Sequence, residues 1–248
     1  MMKNILFRSG ILFASLFIFL SMGCTSGGEK GMTSVIVVTG GHDYDTVEFI
    51  AMFEAMKGVD YELAIKPDVW KMLEEGRKFD ALVFYDLWQE ISEEEKQIFL
   101  NEFARGAGMV FLHHSLVSHQ EWPEYTHLVG GKYFQPEFTS EPGRGSDYKH
   151  DISMKVRVLD ANHPVTAGVK DFEIFDEGYS NTLMLTEVHP LLETSHPNCD
   201  RYVGWTHMVN NSRVVYLMGG HDKQAYENES FCRLVNNAIR WTGAKRDH

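Results

Sequence analysis

The chain has 248 residues, 44% of them hydrophobic and 23% charged, enough apolar material for one sizeable core and too much for wholesale disorder. Lys and Arg total 23 against 35 Asp and Glu, a formal net charge of −12, and no basic tract is present. No nucleic-acid partner is expected, because non-specific binding needs clustered Lys and Arg to displace counterions from phosphate.

Residues 1–23 read as a removable signal. Lys3 and Arg8 supply a positive start, an almost unbroken apolar run covers 11–20, and Ser21-Met22-Gly23 puts small residues ahead of Cys24. The run is too short and wrongly flanked for a membrane span. A cysteine directly after a small residue resembles a bacterial lipoprotein cleavage site, although Ser21 stands where leucine is usual. On this reading Cys24 is the lipidation site and residues 24–33 are a flexible tether. The domain then sits at the cell envelope, on the periplasmic side or outer surface, touching membrane only through its lipid. An ordinary signal peptide with an incidental Cys24, or an uncleaved anchor, is the alternative. Cys199 and Cys232 could pair in an oxidising envelope, but Cys232 at the start of an apolar helix also suits the core.

From residue 34 to 243 the pattern is one domain. The β-branched run at 34–39 predicts a strand covered on both faces. Phe49, Met52, Phe53 and Met56 mark one face of a helix over 45–56, with Asp45 and Glu48 at capping-box spacing. A strand at 61–65, a short helix from Pro67 to Glu75 and a strand at 81–85 follow. Ser92 with Glu95 caps a helix whose Leu100, Phe103, Ala104 and Ala107 point inward, and 109–112 is the next strand. Between about 130 and 206, Gly, Pro and short strand-like pieces (152–159, 172–175, 202–206) replace long helices. That stretch predicts an irregular β-rich insertion or antiparallel extension forming one wall of a pocket. A strand at 214–218 and a helix carrying Phe231, Leu234, Val235 and Ala238 close the chain. The alternation predicts an α/β fold, three layers with a doubly wound, mostly parallel, flavodoxin-like sheet.

In such a sheet ligands bind beyond the carboxyl ends of the strands. Those ends carry Gly40-Gly41-His42-Asp43, Asp86 with Trp88, His113-His114-Ser115 and Gly219-Gly220-His221-Asp222. The repeated Gly-Gly-His-Asp lets the backbone turn sharply, frees amides for an anionic or oxyanionic atom, and sets a carboxylate beside an imidazole. A strand-to-helix turn with Asp as a cap is the plainer reading. Glu177, in an apolar segment, should aim a carboxylate inward. His163 before Pro164 suits a turn as well as a ligand. Trp88, Trp122, Tyr125, Tyr179, Trp205 and Tyr226 offer flat faces for sugar C–H groups, although two or three of them suffice to line a site. His119, His127, His150, His189, His196 and His248 lack supporting context and read as surface residues.

The chain resembles the ThuA-like (trehalose-utilisation) family, relatives by fold of the class I glutamine amidotransferases. The resemblance spans 34–242 and rests on an ordered set of motifs. These are Gly41-His42-Asp43, the 79–86 segment ending in Asp86, Gly106-Ala107-Gly108 through His113, and Trp122 and Tyr125 before Gly130-Gly131. His163-Pro164, Asp176-Glu177-Gly178-Tyr179, Gly204-Trp205-Thr206, Gly220-His221-Asp222 and Ile239-Arg240-Trp241 complete it. Ser212, where glycine is common, and His114, where a small residue is usual, depart from the pattern. Amidotransferases carry their nucleophilic cysteine on the turn after the strand that here ends at Leu112. This chain has His113-His114-Ser115 there, so glutamine hydrolysis is not expected. No Gly-x-Ser-x-Gly elbow supports Ser115 as a replacement.

The resemblance implies sugar chemistry, with 3-keto-sugars or glycosides as substrates. A ketone at C3 acidifies the C2 proton, which a histidine can remove in a lyase, hydratase or isomerase reaction. The expected catalytic groups are His42, His113, His221 and Glu177. Asp43, Asp86, Trp88, His114, Trp122, Tyr179, Trp205, His207 and Asp222 are expected to bind substrate. A divalent metal, zinc foremost, could be held among His42, His113, His221 and Glu177, and a metal-free acid–base site is equally compatible. A non-catalytic sugar-binding lipoprotein is the alternative function, although binding alone does not call for three imidazoles at strand ends.

Overall fold

The computed structural model describes residues 31–140 and 143–245; the signal and Cys24 lie outside them. In chain order the elements are β1 (Thr33–Gly40), α1 (Thr46–Glu54), β2 (Val59–Ile65), α2 (Asp68–Glu74), β3 (Ala81–Asp86), α3 (Glu93–Arg105) and β4 (Gly108–Leu112). A tight 3-10 turn (His113–Val117) leads to α4 (Pro123–Val129), β5 (Gly131–Lys132), β6 (Asp147–Val158), β7 (Phe172–Ser180), β8 (Leu183–Met184) and β9 (His189–Thr194). The chain continues through β10 (Tyr202–Val209), β11 (Ser212–Leu217), α5 (Lys223–Tyr226) and α6 (Glu229–Thr242).

Nine strands form one sheet in the order β2-β1-β3-β4-β11-β10-β9-β6-β7, while β5 and β8 form a separate ribbon. The first five are parallel, the doubly wound arrangement expected. Their apolar runs are buried on both faces: Val35 to Val38, Ala81 to Tyr85 and Met109 to Leu112 are all within the core. Helix α6 packs on β4, β11 and β1, and α2 packs on α3. The Ser92–Glu95 capping box is formed in full. The one at Asp45 is not, because its carboxylate instead accepts from the Lys223 amide at 3.0 Å and ties the first strand-end loop to the last.

The stretch read as an irregular insertion is more ordered than its composition suggests. β10, β9, β6 and β7 continue the same sheet in antiparallel pairing. Ile152, Met154 and Val156 are buried while Ser153, Lys155 and Arg157 are exposed, the period of a sheet wet on one face. A bulge interrupts the pairing between Lys149 and Ile152, so His150 and Asp151 together oppose Glu177 of β7.

Cys199 and Cys232 are both free thiols. The Cys232 thiol donates to the Tyr226 carbonyl at 2.9 Å, and Cys199 lies against the Met218 sulfur at 3.5 Å. Burial pushes the Cys199 thiol up to about 12, away from any thiolate role.

Asp86 does not reach a ligand site. Its carboxylate accepts from the Lys66 ammonium at 2.7 Å, both groups fully buried, which joins the ends of β2 and β3. His119, read as a surface residue, completes this cluster with Nε2 2.9 Å from Lys66. Burial and the ammonium push that imidazole down to about 3. Lys66→Met would strand a buried carboxylate and is expected to cost roughly 3–5 kcal/mol, and adding Asp86→Leu should recover most of it. Urea denaturation of the single and double variants checks this; equal stability of wild type and Lys66→Met would contradict it.

Candidate functional site

At the end of β4 the backbone turns abruptly. His113 adopts φ 46, a left-handed conformation uncommon for a non-glycine residue, and its ring is fully buried. Nδ1 lies 2.7 Å from the Met218 carbonyl at the end of β11. A carbonyl only accepts, so Nδ1 carries the proton of that bond. Nε2 then faces the Glu177 carboxylate at 2.9 Å and the Tyr179 hydroxyl at 2.9 Å. Burial opposes charge on His113, but the Glu177 hydrogen bond, the Asp176 and Glu177 charges and the Met218 carbonyl outweigh it and raise the pKa. For Glu177, burial likewise works toward neutrality, and His113 overcomes it and lowers the pKa.

Glu177 is held from several sides. One oxygen lies 2.9 Å from His113 Nε2 and 3.8 Å from His221 Nε2, and the other lies 3.3 Å from His150 Nδ1. The bulge in β6 is what sets His150 across from it. His221 is partly buried, and desolvation with the neighbouring His113 lowers its pKa.

The two Gly-Gly turns do different work. Gly41 has φ 79, and a Cβ there would fall 1.7 Å from the Leu87 carbonyl oxygen, so only glycine fits. That close approach delivers His42 to the site. The His42 ring is exposed and stacks on His114 at 4.8 Å, with His221 at 6.0 Å. Its Nδ1 donates to the Asp43 carbonyl at 2.5 Å, leaving Nε2 without a proton in the neutral ring. The second turn was expected to offer free amides to an oxyanionic ligand. It binds the protein's own carboxylate instead: Asp176 accepts from the amides of Gly220 at 2.7 Å, His221 at 2.9 Å and Glu177 at 2.8 Å. Burial raises the Asp176 pKa against the pull of His113 and these amides.

His114 is the floor. It is buried beneath His42 and against Tyr85 at 4.3 Å, and neither ring nitrogen has a hydrogen-bond partner. Burial, then the neighbouring His113, His42 and His221, drive its pKa well down, so the ring is neutral.

Of the residues singled out from sequence, His42, His113, His114, Glu177, Tyr179 and His221 line one cleft of about 240 Å³. The others do not line it. Trp122 packs against Phe99 and Tyr125, and Trp205 is buried on Tyr216 with its indole N–H donating to the Val129 carbonyl. His207 donates to the Leu128 carbonyl at 3.2 Å. Trp205 and His207 satisfy core carbonyls, and Trp122 fills the core. Trp88 braces the first Gly-Gly turn, its ring 3.0 Å from where a Gly41 Cβ would stand. Asp43 is exposed, and Asp222 caps α5 through the Gln224 amide, the plainer role the sequence allowed. His163 accepts from the Val165 amide and acts as a turn residue.

Sequence reasoning missed His150, Tyr148, Tyr133 and Gln135, which also line the cleft. His150 and Tyr148 stand two and four residues before Ile152, but the bulge in β6 breaks that alternation, so spacing gave no signal.

A doubly wound sheet with a histidine cluster at its carboxyl edge defines the structural class. The chain belongs to the ThuA family, described as trehalose utilisation, whose profile matches residues 34–242. A carbohydrate-related role follows from that membership. Two ThuA-like proteins of known structure share the fold. One from Parabacteroides merdae is 17% identical with a TM-score of 0.69, covering 86% of this chain and 90% of its own. One from Bacteroides uniformis is 19% identical with a TM-score of 0.67, covering 89% and 95%. A cytoplasmic protein of Salmonella typhimurium is similar in fold at 9% identity, with a TM-score of 0.60, covering 84% and 99%. No match was found among proteins with curated descriptions.

Asp176→Ala would leave three amides without their acceptor and is expected to cost roughly 3 kcal/mol or more in chemical denaturation. A loss below about 1 kcal/mol would show that the turn after β11 does not need the clamp.

Proposed function

We propose that the cleft binds a keto sugar, with 3-keto-sugars or glycosides as the substrate class, and removes the proton beside the ketone. One observation carries the reading: His42, whose Nδ1 donates to the Asp43 carbonyl, lines the same small cleft as the His113–Glu177–His221 cluster. The volume of about 240 Å³ lies just below the usual range of small-molecule pockets (about 300–1,000 Å³), which suits one sugar unit better than a polymer. The carbohydrate-related family supports the same substrate class.

In this reading His42 Nε2 takes the C2 proton. The C2–H electron pair becomes the C2–C3 double bond, and the carbonyl π pair moves onto O3. Hydrogen-bond donation from the His221 ring, with the positive charge favoured at His113 beside it, stabilises that oxygen. Return of the O3 pair to the carbonyl then drives the C2–C3 pair into a C1–C2 double bond as the C1 alkoxide leaves with its bonding pair. That alkoxide takes the proton from His42, which completes elimination across a glycosidic bond; reprotonation of C2 instead completes an epimerisation. Tyr148, exposed at the cleft, offers a face to the sugar's C–H groups.

The direct test is loss of the C2 proton to solvent deuterium, followed by NMR on a panel of 3-keto-glucosides. His42→Gln is expected to slow exchange by about 100-fold or more with thermal stability unchanged. Saturable binding without exchange would instead favour a sugar-binding module. Residues 1–24 support placing this activity on a lipid anchor at the cell envelope. Cys24→Ser is expected to move the protein from the membrane to the soluble fraction on cell fractionation, and unchanged membrane association would count against the anchor.

A further inference from the structure

The geometry points to a divalent-cation site built from His113 Nε2, Glu177 and His221 Nε2, with zinc as the best match and one position open to the cleft. The three side chains come from three separate places in the chain, the turn after β4, strand β7 and the turn after β11. Their ligand atoms lie within 4.8 Å of one another. Around a tetrahedral zinc with bonds of about 2.0–2.1 Å, neighbouring ligand atoms stand about 3.4 Å apart. The Glu177 oxygen is 2.9 Å from one imidazole nitrogen and 3.8 Å from the other, on either side of that value. The full spread of 4.8 Å would close by about 1.4 Å as the partly exposed His221 ring swings inward.

The hydrogen bonds around the cluster are those a metal site needs. The Met218 carbonyl keeps the His113 proton on Nδ1, which turns the Nε2 lone pair onto a carboxylate oxygen 2.9 Å away. Without an ion, a proton between Nε2 and that oxygen occupies the place the ion would take. A carbonyl behind a ligating imidazole is the usual second contact in metal sites. His150 holds the other Glu177 oxygen at 3.3 Å and so orients the carboxylate. The amides clamped by Asp176 fix the backbone of both Glu177 and His221 before any ion arrives.

The donor set decides the ion. Two imidazoles and one carboxylate suit zinc and its transition-metal neighbours, whereas calcium and magnesium prefer all-oxygen shells. His42 stays outside: its ring stacks on His114, and its centroid is 6.0 Å from that of His221. That leaves it free as the base, with the open position of the ion facing the substrate oxygen. The ion's role in stabilising an enolate rests on the keto-sugar reading; its binding does not.

The test uses protein purified without a histidine tag, stripped with chelator and titrated with zinc, magnesium or calcium by calorimetry alongside thermal melts. Zinc is expected to bind one per chain and raise the melting temperature, and magnesium and calcium to do neither. The isosteric Glu177→Gln and the His221→Ala variants should each weaken zinc binding at least 10-fold, and His42→Gln should leave it unchanged. Sub-stoichiometric zinc in the wild type, undiminished affinity in both cluster variants, or loss of binding in His42→Gln would overturn the site. Zinc bound at one per chain with no keto-sugar exchange would leave the site standing and remove the sugar reading alone.

Discussion

The Asp176 carboxylate closes the sheet upon itself. In the strand order β7 lies four positions from β11, a separation of roughly 19 Å in a flat sheet. Yet Asp176 of β7 accepts from Gly220, just past β11, at 2.7 Å. The antiparallel half must therefore curl over the carboxyl edge of the parallel half. Three amides converge on one carboxylate, and the glycines of the turn let them come close: a Cβ on Gly219 would already stand 3.1 Å from Asp176. Everything at the site follows from that closure. Glu177, the next residue, is carried to His113, and His221 is held by its own amide against the same clamp.

Within this frame four imidazoles have four different surroundings. His113 is buried but answered by Glu177, so it favours positive charge. His114 is equally buried and answered by nothing, so it stays neutral. His221 is partly wet and is disfavoured as a cation by burial and by His113. His42 lies exposed on the rim. Desolvation alone cannot separate the first two; the position of one carboxylate does. The turn that carries His113 takes a left-handed backbone at a non-glycine residue and so delivers an imidazole to the carboxyl edge of the sheet.

Most of the parallel half was legible in the sequence. Runs such as Val35-Ile36-Val37-Val38 are buried on both faces, and no amphipathic alternative competes with them. The strand-end histidines were legible for the same reason, since the end of a buried strand in such a sheet is an edge where ligands bind. The aromatics were less so. Trp122 and Trp205 carry the same side chain that would line a sugar site, and only their neighbours, Phe99 and Tyr216, show that they fill the core. Asp45 sits at capping-box spacing with Glu48 but bonds Lys223, a partner 178 residues away that local pattern cannot anticipate.

By itself the sequence determined the period of each element, the fold class, the family motifs and which residue types stand at the carboxyl edge, because these are local properties of short segments. The tertiary structure alone decided which polar groups meet. Asp176 and Glu177 are neighbours of nearly identical chemistry, yet one is consumed by backbone amides and the other is turned to three imidazoles. His150 reads as a solvent-facing residue until a one-residue bulge sets it opposite Glu177. Side chains on a strand alternate faces, so a single inserted residue or the curl of a sheet changes what a group faces without changing any local pattern.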